Sequence, residues 1–234
     1  MEKKLKSNTN KIMIIQSIYH SMEISAEMIP AHTNIKLLLR HSIRSSINKS
    51  NDPDDLLLTR EGIIMAQSFG KNIQYSIGKV YSSHFRRCVQ TVEQILIGRN
   101  QYRVIHTDEC LSSSFVCLND IEGQIAISKL GIKRTVCLLA SGIHIAGINT
   151  LNYCVRRILD FIFSSGNTVD TLDIYCTHDL HIAMVNASMF GISQLDEVRG
   201  NWPYMLEGIY LWGKREDFYV AWRGQTKRMK NFLI

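Results

Sequence analysis

The strongest constraint on the fold is the alternation of short apolar runs with longer segments repeating at helical spacing. Ile35–Leu39 is an apolar run bounded by polar residues, as a buried strand requires. Thr59 then has the chemistry of an N-cap, with Glu61 favourable in the first helical turn. Ile63, Ala66, Phe69 and Ile73 repeat on one face and predict a helix over 60–75. Val80–Tyr81 predicts a very short strand, Ser83 a cap for a helix over about 85–97, and Tyr102–His106 another strand. Leu151, Cys154, Val155, Ile158, Leu159 and Ile162 predict a helix over 149–164. Leu172–Cys176 reads as a buried strand and Leu180–Phe190 as a helix. Leu206–Trp212 and Phe218–Trp222 form an expected antiparallel hairpin around Lys214–Asp217. Strands alternating with helices predict an α/β fold, a mostly parallel sheet covered on both faces. In such sheets chemistry sits at the carboxyl ends of the strands.

Three other segments complete the outline. Residues 11–30 predict an amphipathic helix ending at Pro30, within an N-terminal extension spanning 1–34. Ser45–Asp55 is a polar loop. Residues 110–146 carry no decisive pattern. Helices inserted above the sheet, as a lid over about 110–146, are the expectation there. Residues 35–234 are then one domain.

Composition removes several function classes. With 234 residues, 45% of them apolar, the chain can bury a core without disulfide or metal staples. No apolar run reaches the ~18 residues of a bilayer span, and no secretory leader is recognisable. The expected location is therefore cytoplasmic, with no membrane partner. The six cysteines (88, 110, 117, 137, 154 and 176) form no C-x-x-C pair and read as reduced thiols. The 27 Lys+Arg exceed the 21 Asp+Glu, for a net charge of +6. Part of this excess lies in Lys3, Lys4 and Lys6 and in Arg223, Lys227, Arg228 and Lys230, read as solvated ends. No nucleic-acid-binding motif accompanies it. Nothing in the sequence fixes the oligomeric state.

Three polar clusters follow directly on expected strands: Arg40-His41-Ser42-Ile43-Arg44, Ser82-Ser83-His84-Phe85-Arg86-Arg87 and Thr177-His178-Asp179. Brought together, they suit a phosphoryl group. Arginines offer forked, permanently charged donors to phosphate oxygens. A neutral imidazole can attack phosphorus, and a carboxyl group can protonate a leaving oxygen. Each cluster alone has an ordinary structural explanation; three at successive strand ends do not.

Over residues 35–223 the chain resembles the histidine phosphatase superfamily. Leu37-Leu38-Leu39-Arg40-His41 is similar to the leading Arg-His-Gly signature, and Leu58-Thr59-Arg60-Glu61-Gly62 to the Leu-Thr-x-x-Gly helix start. Tyr81 to Thr91 resembles the Tyr-Ser-Ser-Pro-x-x-Arg-Cys-x-Gln-Thr segment. Thr177-His178-Asp179, followed by an apolar helix and Gly191, resembles the His-Asp segment of the acid-phosphatase branch. The resemblance implies a three-layer α/β/α sandwich of the phosphoglycerate mutase-like kind. It implies His41 as the nucleophile, with Arg40, Arg44, Arg87 and His178 around the phosphoryl oxygens. Asp179 is implied as proton donor and then base. Asp108 or Glu109 is the alternative donor, by analogy with the other branch.

The activity implied is a phosphomonoesterase acting through phosphohistidine on a small phosphorylated metabolite, with no metal and no cofactor. A phosphoglycerate mutase-like transferase and an inactive phosphate-binding protein are the alternatives. A metal hydrolase using Cys176, His178, Asp179 and His181 is a further one. The sequence departs from the family pattern at Ser42 (glycine), His84 (proline) and Ser46 (proline in the acid-phosphatase branch). Trp202-Pro203-Tyr204 is a candidate rim, and Glu207 a candidate partner of the pocket arginines.

Overall fold

Strand β1 (Ile35–Arg40) is buried along nearly all its length, which places it in the middle of the sheet. Its side chains alternate between two cores: Leu38 enters one, while Ile35, Leu37 and Leu39 enter the other. The computed structural model describes residues 21–46, 56–112, 114–166, 168–191 and 202–233. Lys3, Lys4, Lys6, the first half of the expected 11–30 helix and most of the 45–55 loop lie outside them. Residues 21–27 are helical, ending before Pro30.

After β1 come α1 (Arg60–Asn72), β2 (Ser76–Ser82), α2 (Arg86–Arg99) and β3 (Ile105–Thr107). Two 3-10 turns, Glu109–Leu111 and Ser114–Val116, lead to α3 (Asp120–Leu130) and α4 (Ile132–Ala140). The chain continues through α5 (Leu151–Ser164), β4 (Thr171–Thr177) and α6 (Asp179–Phe190). It ends with β5 (Gly208–Lys214), β6 (Asp217–Trp222) and β7 (Gln225–Lys230). The sheet order is β3-β2-β4-β1-β5-β6-β7. The first four strands are parallel to one another, and β5, β6 and β7 add an antiparallel flank. One core packs α1 and α2 against the sheet; the other packs α4, α5 and α6. Among the described residues no helix is long and apolar enough to cross a membrane.

Several boundaries differ from the sequence reading, each for a local reason. β2 begins at Ser76, not Val80. A register shift between Ile77 and Val80 breaks its apolar pattern, and Asp173 Oδ1 takes the Lys79 N–H there at 2.7 Å. Ser83 does not cap α2. That helix starts after Phe85 without a side-chain cap, and the Ser83 hydroxyl is committed elsewhere. β3 is shorter than Tyr102–His106 because it lies at the sheet edge, where Tyr102 and Val104 remain exposed. The expected hairpin gains a third strand, β7. Its sequence is polar with only Met229 buried, as suits an edge, so it carries no apolar alternation. The 110–146 segment does hold helices, but α4 contributes Val136 and Leu139 to the core.

The loop after β1 lies directly on the first turn of α1. Thr59 N–H donates to Ile43 O at 2.9 Å, and the Thr59 hydroxyl accepts from Gly62 N–H. The Ser42 hydroxyl donates to Gly62 O at 2.8 Å. A Cβ on Gly62 would sit 2.0 Å from Ile43 O. Overpacking of this kind typically costs about 1–3 kcal/mol. Gly62→Ala is expected to lose stability at the top of that range, because the obstacle is backbone. Urea unfolding followed by circular dichroism would measure it; an unchanged midpoint would contradict the close approach.

Candidate active site

In the order β2-β4-β1, adjacent parallel strands finish level with one another. Arg40 lies opposite Thr177, and Ser82 opposite Cys176. The ladder continues into the loops, with His41 N–H donating to Thr177 O at 3.0 Å and Ser83 N–H to Cys176 O at 2.9 Å. The three polar clusters therefore emerge side by side.

His41 is 3% exposed. Its Nδ1 lies 2.8 Å from Ser42 O, which can only accept, so Nδ1 carries the proton and Nε2 is bare. Burial above all, and then the charges of Arg40 and Arg87, push its pKa down to about 3. The ring is neutral at physiological pH. The His178 ring stands edge-on to it at 5.6 Å.

His178 sits at the N-cap of α6. Its Nδ1 faces Arg87 Nη2 at 3.4 Å and must accept, so Nε2–H donates to Ser83 Oγ at 3.1 Å. The hydroxyls of Ser83 and Ser112 are 2.9 Å apart, and Ser112 Oγ lies 3.0 Å from His84 Nδ1. Glu109 Oε1 meets the same His84 nitrogen at 3.2 Å. A hydrogen-bonded row thus runs from the buried imidazole to an exposed His-Glu pair. Burial and the nearby Arg87 hold His178 well below the usual histidine range. Arg87 also stacks over the Phe85 ring, 4.6 Å from its centre.

Arg40 is tied on two sides. Nη1 donates to Pro203 O at 2.5 Å, and Nη2 meets Asp179 Oδ2 at 3.0 Å. Its Nε is buried without a partner among the described residues. Asp179 Oδ1 accepts from Leu180 N–H, and Oδ2 also accepts from Trp202 Nε1 at 3.1 Å. Burial raises the Asp179 pKa, but Arg40 and the Trp202 hydrogen bond outweigh it and hold the carboxyl below the ordinary range. Arg44 is close enough for its charge to oppose that of Arg40, and its Nη1 donates to Ser45 O at 2.8 Å.

Arg40, His41, Arg87, His178 and Asp179 therefore meet, with Arg44 beside them. Asp108 does not join them: its carboxylate caps the Glu109–Leu111 turn through Cys110 N–H. Glu109 reaches His84 and the Ser114 hydroxyl at the exposed end of the row. Ser42 does not enter the pocket, because Gly62 O holds its hydroxyl and Thr91 Oγ1 holds its N–H. The Glu207 carboxylate pairs with Arg223 at two points, 2.6 and 2.8 Å, and is close enough for its charge to act on Arg40. Cys176 is buried in the core that packs α1 and α2, and His181 Nε2 is engaged by Ser112 O. The metal set considered for these residues is thus not assembled. Among the described residues no group of three or more His, Cys, Asp or Glu is arranged to hold a metal.

Sequence reasoning missed Ser112, Arg223 and the role of Ser83. Serines in loops carry no pattern of their own; only the fold makes them neighbours. What the assembled groups can do is receive a tetrahedral anion in front of a neutral nitrogen nucleophile.

Residues 37–123 match the family model described as histidine phosphatase superfamily (branch 1). Over that stretch the chain is similar to that superfamily. The matching model is that of branch 1, whereas His178-Asp179, the basis for leaning to the acid-phosphatase branch, lies beyond the matched residues. A comparison with curated protein sequences returns no match. The fold is that of a mycobacterial glucosyl-3-phosphoglycerate phosphatase, with TM-score 0.55 and 16% identity over 82% of this chain and 100% of that one. It is also that of Bacillus stearothermophilus YhfR, with TM-score 0.55 and 21% identity over 82% and 98%.

Three buried neutral rings have a consequence for stability. His41, His178 and His181 all titrate lower folded than unfolded, with His181 at about 4, mainly because burial disfavours the imidazolium. The unfolded chain then binds protons that the folded chain does not, so stability falls as pH drops below about 6.5. From pH 7 to 5 each of His41 and His181 is expected to remove roughly 2 kcal/mol. Denaturant titrations at the two pH values would show it; equal stabilities would contradict neutral burial.

Proposed function

We propose that this chain is a phosphomonoesterase of the histidine phosphatase superfamily that works through a phosphohistidine on His41. The substrate would be a small phosphorylated metabolite. The observation that carries this reading is the bare, neutral Nε2 of His41 beside Arg40, Arg87 and His178.

Phosphoryl transfer depends mainly on positioning and charge stabilisation. Arg40, Arg44 and Arg87 would draw the phosphoryl oxygens against Nε2, with His178 oriented alongside through Arg87 and Ser83. Nε2 attacks phosphorus as the ester P–O bond breaks. Asp179, protonated at that moment, gives its proton to the leaving oxygen. The proton stays on Nδ1, donated to Ser42 O, so the phosphorylated ring carries a positive charge that the phosphoryl group offsets. In the second half Asp179 takes a proton from water as that water attacks phosphorus. The N–P bond breaks and His41 returns to its neutral form.

The resting arrangement favours the carboxylate form of Asp179, the form needed for this second half. Anionic substrate drawn to Arg40 competes for the guanidinium, which loosens its hold on the carboxylate and eases proton uptake. Lys133 of α4 stands 5.7 Å over the Trp202 ring, and Ser112, near the start of the 110–146 segment, bonds the Ser83 hydroxyl. Two parts of that segment thus lie beside the site, which supports it as the part that selects the alcohol half.

The test is phosphate release from a panel of phosphomonoesters, including a generic aryl phosphate, with and without chelator. His41→Ala is expected to reduce turnover at least about 1,000-fold, because no other group replaces the nucleophile. Radiolabelled phosphate from substrate should be trapped on the wild-type chain in an acid-labile, alkali-stable bond. Turnover that survives His41→Ala would sink the assignment.

A further inference from the structure

We propose that Trp202 is a positioning residue for the proton-transfer group: its indole N–H and the Arg40 guanidinium hold the same oxygen of Asp179, and together they govern how readily that carboxyl takes up a proton. This rests on the reading of Asp179 as proton donor. Trp202 lies outside the three strand-end clusters in sequence, in the loop before β5.

The geometry is specific. Asp179 Oδ2 lies 3.1 Å from Trp202 Nε1 and 3.0 Å from Arg40 Nη2, while Oδ1 is engaged by the Leu180 N–H. A carboxylate can accept all three bonds; a carboxylic acid must give up part of them to seat its proton. The indole N–H is a donor only, so it favours the charged form at every pH. Unlike Arg40, Trp202 is not drawn away by an incoming phosphate, so its hold on Asp179 persists through both half-reactions.

The same loop restrains Arg40. Pro203 O accepts from Arg40 Nη1 at 2.5 Å, so adjacent residues hold both members of the Arg40–Asp179 pair. The loop has a fixed base. The buried Glu207 carboxylate pairs at two points with Arg223 and takes the Tyr204 N–H at 2.8 Å. Arg223 also stacks over the Tyr204 and Trp222 rings. Arg40 N–H donates to Glu207 O at 2.9 Å, which joins the loop to the end of β1.

Among the described residues, other charged and titratable groups stand around Asp179. From β1 and the residue after it come Arg40 and His41, and from its own helix His178 and His181. Behind Arg40 stand Arg44, Arg87 and Glu207. On the other side of the indole is Lys133. Among the described residues the side chains of Arg40 and Trp202 bond the carboxylate, and Arg40 is required for phosphate. Trp202 is therefore the group that can be changed to tune the donor.

The experiment compares pH profiles of kcat/KM for wild type, Trp202→Phe and Asp179→Asn on one aryl phosphate, so that the ester's own titration is common to all. In wild type, activity should rise as pH falls toward the Asp179 titration. Trp202→Phe should move the midpoint of that limb to higher pH by about one unit, the scale of one hydrogen bond to a charged group. Trp202→Met, which also has no donor, should shift it likewise if the phenylalanine variant fails to fold. Trp202→Gln, which keeps an N–H donor, should restore part of the wild-type position. A uniform loss of activity with the limb unmoved would overturn the proposal and leave Trp202 a packing residue. If the limb survives unchanged in Asp179→Asn, the donor assignment itself fails, an outcome distinct from the first.

Discussion

The site exists because β1 and β4 run parallel with Arg40 opposite Thr177. A shift of one residue would turn every side chain of β1 to the other face of the sheet. That register is strongly specified, because Leu38 belongs to one core while Leu37 and Leu39 belong to the other. At the far end of the same pair, Lys36 faces Asp173 across the ladder and is fully buried with its ammonium bonded to Asn34 and Gly166 O. Burial pushes that lysine's pKa down and Asp173 opposes it. A slip would strand this charge in an apolar core, which reinforces the register that aligns His41 with His178.

Enclosing the cluster has a cost. Three imidazoles, two guanidiniums and a carboxylate are crowded into a space from which water is largely removed. The arrangement persists because nearly every charge has an opposite or an oriented dipole. Arg40 is held by Asp179 and Pro203 O. The histidines stay neutral, with backbone carbonyls or serine hydroxyls fixing their tautomers. Neutrality suits the proposed role of His41, since a protonated ring has no lone pair to offer. The burial that keeps the ring neutral also makes the fold sensitive to acid.

The supports come from parts of the chain with no catalytic signature of their own. Thr91 on α2 holds the backbone of Ser42, the residue after His41, and Gly62 on α1 holds its hydroxyl. The antiparallel flank contributes differently. β5 begins immediately after Glu207, so the loop carrying Trp202 and Pro203 is delivered to the mouth by the strand that pairs with β1. The serine at position 42 illustrates the point. Where the family pattern has glycine, the extra hydroxyl is absorbed by a carbonyl of α1 and leaves the pocket unobstructed.

The sequence determined by itself the order of elements and the groups that can do chemistry. Apolar periodicity is a local property, and residues such as Arg40-His41 and His178-Asp179 are contiguous motifs. That is why the strands, the long α5 helix and five of the site residues were legible. Boundaries were less so where a bulge, an edge or an uncapped helix interrupted the pattern, as at Gly78, Val104 and Phe85. Only the tertiary structure decided which polar residues are partners. It set Ser83 and Ser112 between His178 and His84, gave Glu207 to Arg223, and brought Trp202 onto Asp179. Those contacts join residues 16 to 95 positions apart, and no local periodicity encodes them. They follow from strand register and loop anchoring, which emerge when the whole chain buries its apolar surface at once.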